Sequence, residues 1–267
     1  MPRVHPPRSR RMITLRVLRR EMLSPHFVRL TLTGPGLEHL ERSGPDQAVR
    51  LFFPRAGQSR LEMPTTSTTA WMPQLLLVPK ARRPWVRMYT VRAVRPELHE
   101  LDVELALHDV HAPAAAWALA ARPGDEVGIF DEGFTYFPRP HAEWQLLVGD
   151  ESALPAILAI LEQAPASLVA RVLLEVPEAA DVRPDVVRPA GVEIEWVTRE
   201  GRDGPPGAAV LETVRRAELP PGPSYTWVAG EARLPTGLRR HLVEQRGVPK
   251  SDITFVGYWR EGRSAPG

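Results

Sequence analysis

The spacing of apolar residues changes once along this chain, near Pro140, and divides it into two folding problems. Before that point the period is two. Ile13, Leu15 and Val17 alternate with polar residues, as do Val28, Leu30 and Leu32, and later Leu101, Val103, Leu105 and Leu107, the pattern of strands buried on one face. Turn sequences such as Gly34-Pro35-Gly36 and Pro123-Gly124-Asp125 punctuate them. One helical patch interrupts this half, from Pro113 to Ala121, with its proline where a first helical turn accepts it. A small antiparallel β-barrel with one helix is the expected product. After Pro140, short and almost wholly apolar strands recur at the length of a βα unit, starting at Gln145, Val169, Val192, Thr226 and Ile253. Segments from Ala153, Ala208 and Thr236 read as the intervening helices. This half is expected to be an α/β open parallel sheet, of the kind that binds ligands beyond the carboxyl ends of its strands.

The expected organisation is a flexible basic arm over residues 1–11, a barrel domain over 12–138 and an α/β domain over 139–267, with Phe137 to His141 as the linker. A length of 267 residues gives each domain enough chain for its own core. No stretch approaches the eighteen or so apolar residues of a membrane span, and no apolar signal core follows the first arginines, so a cytoplasmic protein is expected. The absence of cysteine excludes disulfides, thiolate nucleophiles, cysteine zinc sites and a conventional iron–sulfur cluster. Redox work would therefore need an organic cofactor. Only Lys80 and Lys250 are lysines among 34 basic residues, which reads as coding bias, and a frayed, solvated terminus explains the arm better than nucleic-acid binding.

The most informative segment is Arg87-Met-Tyr89-Thr90-Val-Arg92, at the end of a predicted strand. A flavin needs an aromatic plane against its ring, a hydroxyl near its N5 edge and cations for its pyrophosphate. Tyr89 can stack, Thr90 can bond N5, and Arg87 can pair with phosphate in the bidentate manner of arginine. The same residues also fit an ordinary strand with a tyrosine and two surface arginines. In the second half, Gly149-Asp150-Glu151-Ser152 joins the first strand to the first helix, a turn that can receive a nicotinamide nucleotide's pyrophosphate on backbone N–H groups or can simply cap the helix. Arg199, near a strand's carboxyl end, is a candidate for the 2′-phosphate of NADPH, or an exposed arginine. His108 and His111 lack a third convergent ligand, so no metal site is assigned.

These segments together resemble the siderophore-interacting protein family, flavin-dependent ferric-siderophore reductases of the ferredoxin-reductase superfamily. The likeness runs from Met12 to Gly262. It is carried by Ser24-Pro-His-Phe-Val-Arg-Leu-Thr-Leu-Thr-Gly34, Gly44-Pro-Asp-Gln47, Arg-x-Tyr-Thr-x-Arg, His108 ahead of Trp117, Pro123-Gly124-Asp125, Gly149 to Ala156, Trp227 to Ala232 and Gly257-Tyr-Trp259-Arg260-x-Gly262, in that order.

The resemblance implies FAD on the barrel, held by Arg87, Tyr89, Thr90 and Arg92, with Tyr89 and Thr90 nearest the chemistry. It places His108 and the loop into the Trp117 helix along the phosphates, where helix N–H groups favour anions. The family's glycines and hydroxyl in this loop are replaced here by Asp109, Ala112 and Ala115, and a later glycine turn by Asp131-Glu132. Such changes restrict the backbone and bring carboxylates toward a pyrophosphate. NADPH or NADH is implied at Asp150, Ser152, Arg199 and Glu231, with Trp259 shielding the flavin or plugging the fold. Arg50, Lys80, Arg82, Arg83 and Arg260 would suit an anionic ferric siderophore. The implied activity is FAD-dependent NAD(P)H:ferric-siderophore oxidoreduction by a monomer. Two alternatives stay open: a flavin reductase with another acceptor, and a non-enzymatic binding descendant.

Overall fold

The computed structural model describes residues 4–58, 60–68, 70–108 and 110–262, and the chain divides into two compact units at residues 134 and 135. The first unit carries seven strands: β1 (Met12–Ser24), β2 (Phe27–Thr33), β3 (Ala48–Phe53), β4 (Trp85–Thr90), β5 (Ala93–Arg95), β6 (Glu100–Ala106) and β7 (Glu126–Gly133). They form one antiparallel sheet in the order β4-β3-β7-β1-β2-β6-β5. The sheet curls into a barrel-like form without a closing strand ladder. Just past β4, the Arg92 N–H donates to the Asp102 carbonyl on β6 at 2.9 Å, which ties the two ends of the sheet together.

The alternation read in the sequence sets what lies inside. Leu15, Leu30, Val49, Leu51, Leu101 and Val103 fill the core, and Ala115 and Ala118 of α2 (Pro113–Ala120) pack onto it. A helix that sequence reasoning missed, α1 (Trp71–Leu77), lies over a separate cluster of Phe52, Val86 and Phe130 through Trp71 and Leu75. Two turns of mostly apolar residues containing Pro73 have no period long enough to announce themselves.

The intervening residues of β6 face outward and are acidic. Arg19 grips Glu100 with two bonds of 2.9 Å, Arg95 grips Asp102 with two of 2.7 Å, and Arg29 meets Glu104 at 2.7 Å. The bonds from Arg19, with a further contribution from Arg95, pull the Glu100 carboxyl from 4.5 down to about 2. A carboxyl depressed in the folded state stabilises above its unfolded value and loses that contribution as pH falls through the window between the two. The melting temperature should therefore fall as pH drops from 4.5 to 2, and a Glu100→Gln variant should show a shallower acid limb. Identical limbs in thermal melts would refute the assignment.

The expected basic arm is not free from His5 onward. His5 exchanges backbone bonds of 2.8 and 3.1 Å with Phe134, the two rings stack at 5.0 Å, and Arg10 lies 3.6 Å from Glu132. Gly133 makes this possible. At φ +86° a Cβ there would stand 2.0 Å from the His5 carbonyl oxygen. Pairing of this kind uses main chain, so a proline-rich polar sequence gives no warning of it.

The second unit holds β8 (Trp144–Gly149), α3 (Leu154–Glu162), β9 (Ala170–Val176), β10 (Val192–Thr198), α4 (Ala208–Arg216), β11 (Ser224–Glu231), α5 (Arg233–Arg246) and β12 (Ile253–Trp259). Its strands are parallel in the order β10-β9-β8-β11-β12. All five strands and three helices match the expected succession. Val210 and Val214 of α4 and Leu234, Leu238 and Leu242 of α5 pack with Leu146, Val148 and Val228 of the sheet. The chain reverses direction across the sheet between β8 and β11, which is where such sheets bind ligands. The segment expected as a linker is bound to this unit: the Phe137 N–H donates to the Tyr225 hydroxyl at 3.0 Å, and Arg139 donates to the Ser251 carbonyl.

Candidate functional site

In the first unit, Trp85, Arg87 and Tyr89 alternate with Val86, Met88 and Thr90 along β4 and so share one side of the strand. Tyr89 packs against the barrel core, and burial raises its phenol well above the ordinary value while the Arg87 charge partly opposes that rise. Thr90 is buried at the strand end. Arg87 is half-buried and donates only to the neighbouring Val86 carbonyl at 2.7 Å, with its guanidinium 5.2 Å from the Trp85 ring. Among the described residues no carboxylate pairs with it. Desolvation lowers its pKa accordingly. A cation kept partly dry without an anion has the character of a phosphate site.

The neighbouring cations differ. Arg92 lies 3.5 Å from Glu104, which also holds Arg29, so this expected flavin holder is already engaged within the barrel wall. Arg50 pairs with Glu132 and covers the Trp71 ring at 5.0 Å. Arg83 caps the last turn of α1, donating to the Leu76 and Val78 carbonyls. Arg82 reaches Glu62 at 3.4 Å, while Lys80 is exposed.

The substituted glycine turn fits better than its sequence suggests. Ala112 is the N-cap of α2 at φ −61° and ψ 139°, an extended conformation that needs no glycine, and Ala115 is buried against the core one turn later. Asp109 lies outside the described residues. His108 and His111 are exposed. The two feared carboxylates are occupied: Asp131 accepts from Gln47 Nε2 at 2.7 Å and from the Gly133 N–H at 2.8 Å, and Glu132 is held by Arg50 and Arg10. Neither is left free to oppose a bound anion.

At the switch point of the parallel sheet, a clamp joins the loops after β8 and β11. Asp150 is fully buried. Its Oδ1 accepts from the Ser152 N–H and hydroxyl at 2.9 and 2.6 Å, and its Oδ2 accepts from the Glu231 N–H at 2.5 Å. Gly230 permits the approach, since a Cβ there would come within 2.5 Å of the same Oδ2. Glu231, one residue before the N-cap Ala232, then accepts from the Arg233 N–H at 2.7 Å, at the start of α5, and from the Glu261 N–H of the C-terminal tail. Trp259 holds the tail through its carbonyl, which accepts from Ala232 N–H at 2.9 Å; Arg260 is exposed. The helix cap foreseen for Asp150 and Glu151 is not what these side chains provide: α3 begins without a side-chain cap, Asp150 ties its turn to the end of β11, and Glu151 holds Arg199.

Arg199 takes a different place from the phosphate role expected of it. It donates to both Glu151 oxygens at 2.6 and 3.0 Å and to Glu175 at 2.6 Å, and both carboxylates are buried. Glu175 also accepts from the Gly207 and Val210 N–H groups at the start of α4. The two carboxylates hold the guanidinium firmly charged.

Comparison with known proteins agrees with both units. The family model for the siderophore-interacting FAD-binding domain matches residues 16–134, and that for the siderophore-interacting protein matches residues 142–262. The crystal structure of a siderophore utilization protein from T. fusca superimposes with a TM-score of 0.82 at 30% identity, covering 99% of this chain and 97% of that one. The ferric vibriobactin reductase of Vibrio cholerae is 28% identical, over 92% of this chain and 89% of its own. A ferredoxin NADP+ reductase from Neisseria gonorrhoeae, solved with FAD and NADP, shares the fold at a TM-score of 0.65 and 14% identity, covering 93% of this chain and 99% of that one. The chain belongs to the siderophore-interacting protein family and has its FAD-binding domain. No helix among the described residues is long and apolar enough to cross a membrane.

Proposed function

Starting from that membership, we propose that this protein is an FAD-dependent NAD(P)H:ferric-siderophore oxidoreductase that releases iron by reducing the chelated Fe(III). The observation that carries the reading is Arg87, half-dry and, among the described residues, without a carboxylate, beside a half-buried tyrosine and a buried threonine on one strand end. Arg87 would bind the pyrophosphate, Tyr89 would orient the ring system, and Thr90 would stand at its reactive edge. The N-terminus of α2, free of competing carboxylates among the described residues, adds its N–H groups and dipole. FAD supplies, when bound, acceptance of a hydride from a nicotinamide and delivery of single electrons to the ferric chelate. No protein acid or base is needed for that electron step, so the residues position groups and exclude water. Fe(II) is held far less tightly by hard oxygen chelators, and reduction thus releases it.

A nicotinamide nucleotide would lie at this switch point, the place where such sheets bind ligands, with Asp150 and Glu231 shaping the turns by holding the Glu231 and Arg233 N–H groups. Exposed Lys80 and Arg260 remain available to an anionic siderophore. Stopped-flow mixing of FAD-loaded protein with NADH or NADPH, then with a panel of ferric chelates, tests the proposal. Bleaching of the flavin absorbance by a nicotinamide and its recovery with Fe(II) formation is the expected result. A protein that shows no flavin absorbance after incubation with FAD would refute it.

A further inference from the structure

Between Met63 and Arg95 the sequence contains no aspartate or glutamate, and the middle of that stretch, α1 and the turn after it, leaves apolar side chains in solvent. Trp71 and Leu75 bury one side of the helix on Phe52, Val86 and Phe130. Met72 and Leu76, four apart and hence on one face, are 44% and 55% exposed, and the adjoining Leu77 is 84% exposed. The chain then turns through exposed Pro79, Lys80, Ala81 and Arg82. Arg82 meets Glu62 at 3.4 Å in an exposed pair of the kind that contributes little, so its charge stays open to an anion.

This apolar knob is held in place. Gln74 accepts from the Thr65 and Thr66 N–H groups at 2.9 and 3.2 Å and donates to the Thr65 hydroxyl at 2.8 Å, while Arg83 closes the other end through the Leu76 and Val78 carbonyls. Fixed at both ends, the helix cannot turn its leucines inward without breaking these bonds. Leu77 has almost no wall around it, so the feature is a projection and not a groove for a partner's side chain. A second copy docked symmetrically would bring the same cations, Lys80 and Arg82, together from both sides, and three side chains fall short of the roughly 800 Å² per partner of a stable protein interface. Aliphatic side chains beside cations match a different surface, the boundary between acyl chains and anionic headgroups.

We propose that α1 and the turn from Pro79 to Arg82 dock the protein on an anionic membrane surface, with Met72, Leu76 and Leu77 entering the headgroup layer and Lys80 and Arg82 facing lipid phosphates. The inference is independent of the flavin reading above. One short apolar knob gives only marginal attachment, and the cations supply the second signal that peripheral binding needs. The attachment is therefore reversible, requires anionic lipid and weakens with salt.

The chain has no cysteine, so a Leu77→Cys variant of the full protein carries a single environment-sensitive fluorophore, with Val187→Cys, 64% exposed in the second unit, as the control. Mixed with vesicles of phosphatidylglycerol and phosphatidylcholine, the label at position 77 should brighten and shift to the blue, the label at position 187 should not, and neither should respond to phosphatidylcholine alone. Cosedimentation of the unlabelled protein with the same vesicles gives its partition coefficient. Leu77→Asp should lower that coefficient by roughly tenfold or more, and Lys80→Ala and Arg82→Ala by about fivefold each, the worth of one cation near such a surface. Melting curves verify that these surface variants are folded. An unresponsive label at position 77, or partition indifferent to Leu77→Asp, would overturn the inference. So would a concentration-dependent dimer in sedimentation velocity that Leu77→Asp abolishes, which would assign the knob to a second copy of the chain.

Discussion

Substituting Arg199 by methionine is expected to destabilise the α/β unit by about 3–5 kcal/mol, the usual result of removing one partner from a buried ion pair. The reason is geometric. Its guanidinium bridges Glu151, 1% exposed, and Glu175, fully buried, with three bonds between 2.6 and 3.0 Å. Glu175 would keep the Gly207 and Val210 N–H groups, but Glu151 would lose its bidentate partner in a site with little water. For a unit of this size, the loss corresponds to a fall in melting temperature of roughly 10 °C or more. Its pH dependence has a definite sign. A buried carboxylate deprived of its cation takes up a proton more readily than in the unfolded chain, so the penalty is greatest at high pH and shrinks as pH falls toward the raised value. A double variant, Arg199→Met with Glu151→Gln, should recover part of the loss. A melting temperature within a degree of the parent at pH 8 would show that the bridge contributes nothing.

The same residue shows where the sequence stops being legible. Arg199 follows a strand's carboxyl end, the position from which a cation reaches a nucleotide phosphate, and linear spacing gives no sign that Glu151 and Glu175 arrive from two other strand ends to claim it. Partners separated by 48 and 24 residues are a property of the folded sheet. By contrast, the inner parallel strands β9, β8 and β11 are readable because each is a nearly continuous apolar run, which only burial on both faces requires, whereas β10 at the sheet edge alternates with the exposed Glu193 and Glu195. The barrel strands were readable from Leu101, Val103 and Leu105, yet the alternate residues Glu100, Asp102 and Glu104 looked like a plain solvated face. Asp102 and Glu104 are buried instead, and Glu100 is partly covered, under arginines from β1, β2 and the β5 hairpin. Arg87 and Tyr89 stood out because their chemistry is compressed into one strand end.

Replacing Arg87 with alanine should weaken FAD binding by roughly tenfold to a hundredfold, the worth of one charge-assisted bidentate contact of about 1.5–3 kcal/mol. The effect on the apoprotein should run the other way. Arg87 is half-buried, gives its proton donors only to the Val86 carbonyl, and among the described residues has no carboxylate to leave behind, so its removal relieves a desolvated charge. The apoprotein melting temperature should hold steady or rise while the FAD-loaded one falls. Arg92 provides the contrast, because it is 3.5 Å from a nearly buried Glu104. Arg92→Ala should cost the apoprotein stability and affect FAD mainly through the loosened barrel wall. The pair thus separates a half-buried cation with no carboxylate beside it, among the described residues, from one already ion-paired within the barrel wall. Titration of both apoproteins with FAD, with melting curves taken in its presence and absence, reads the difference directly. If Arg87→Ala bound FAD as tightly as the parent, the phosphate would have to lie elsewhere on the barrel.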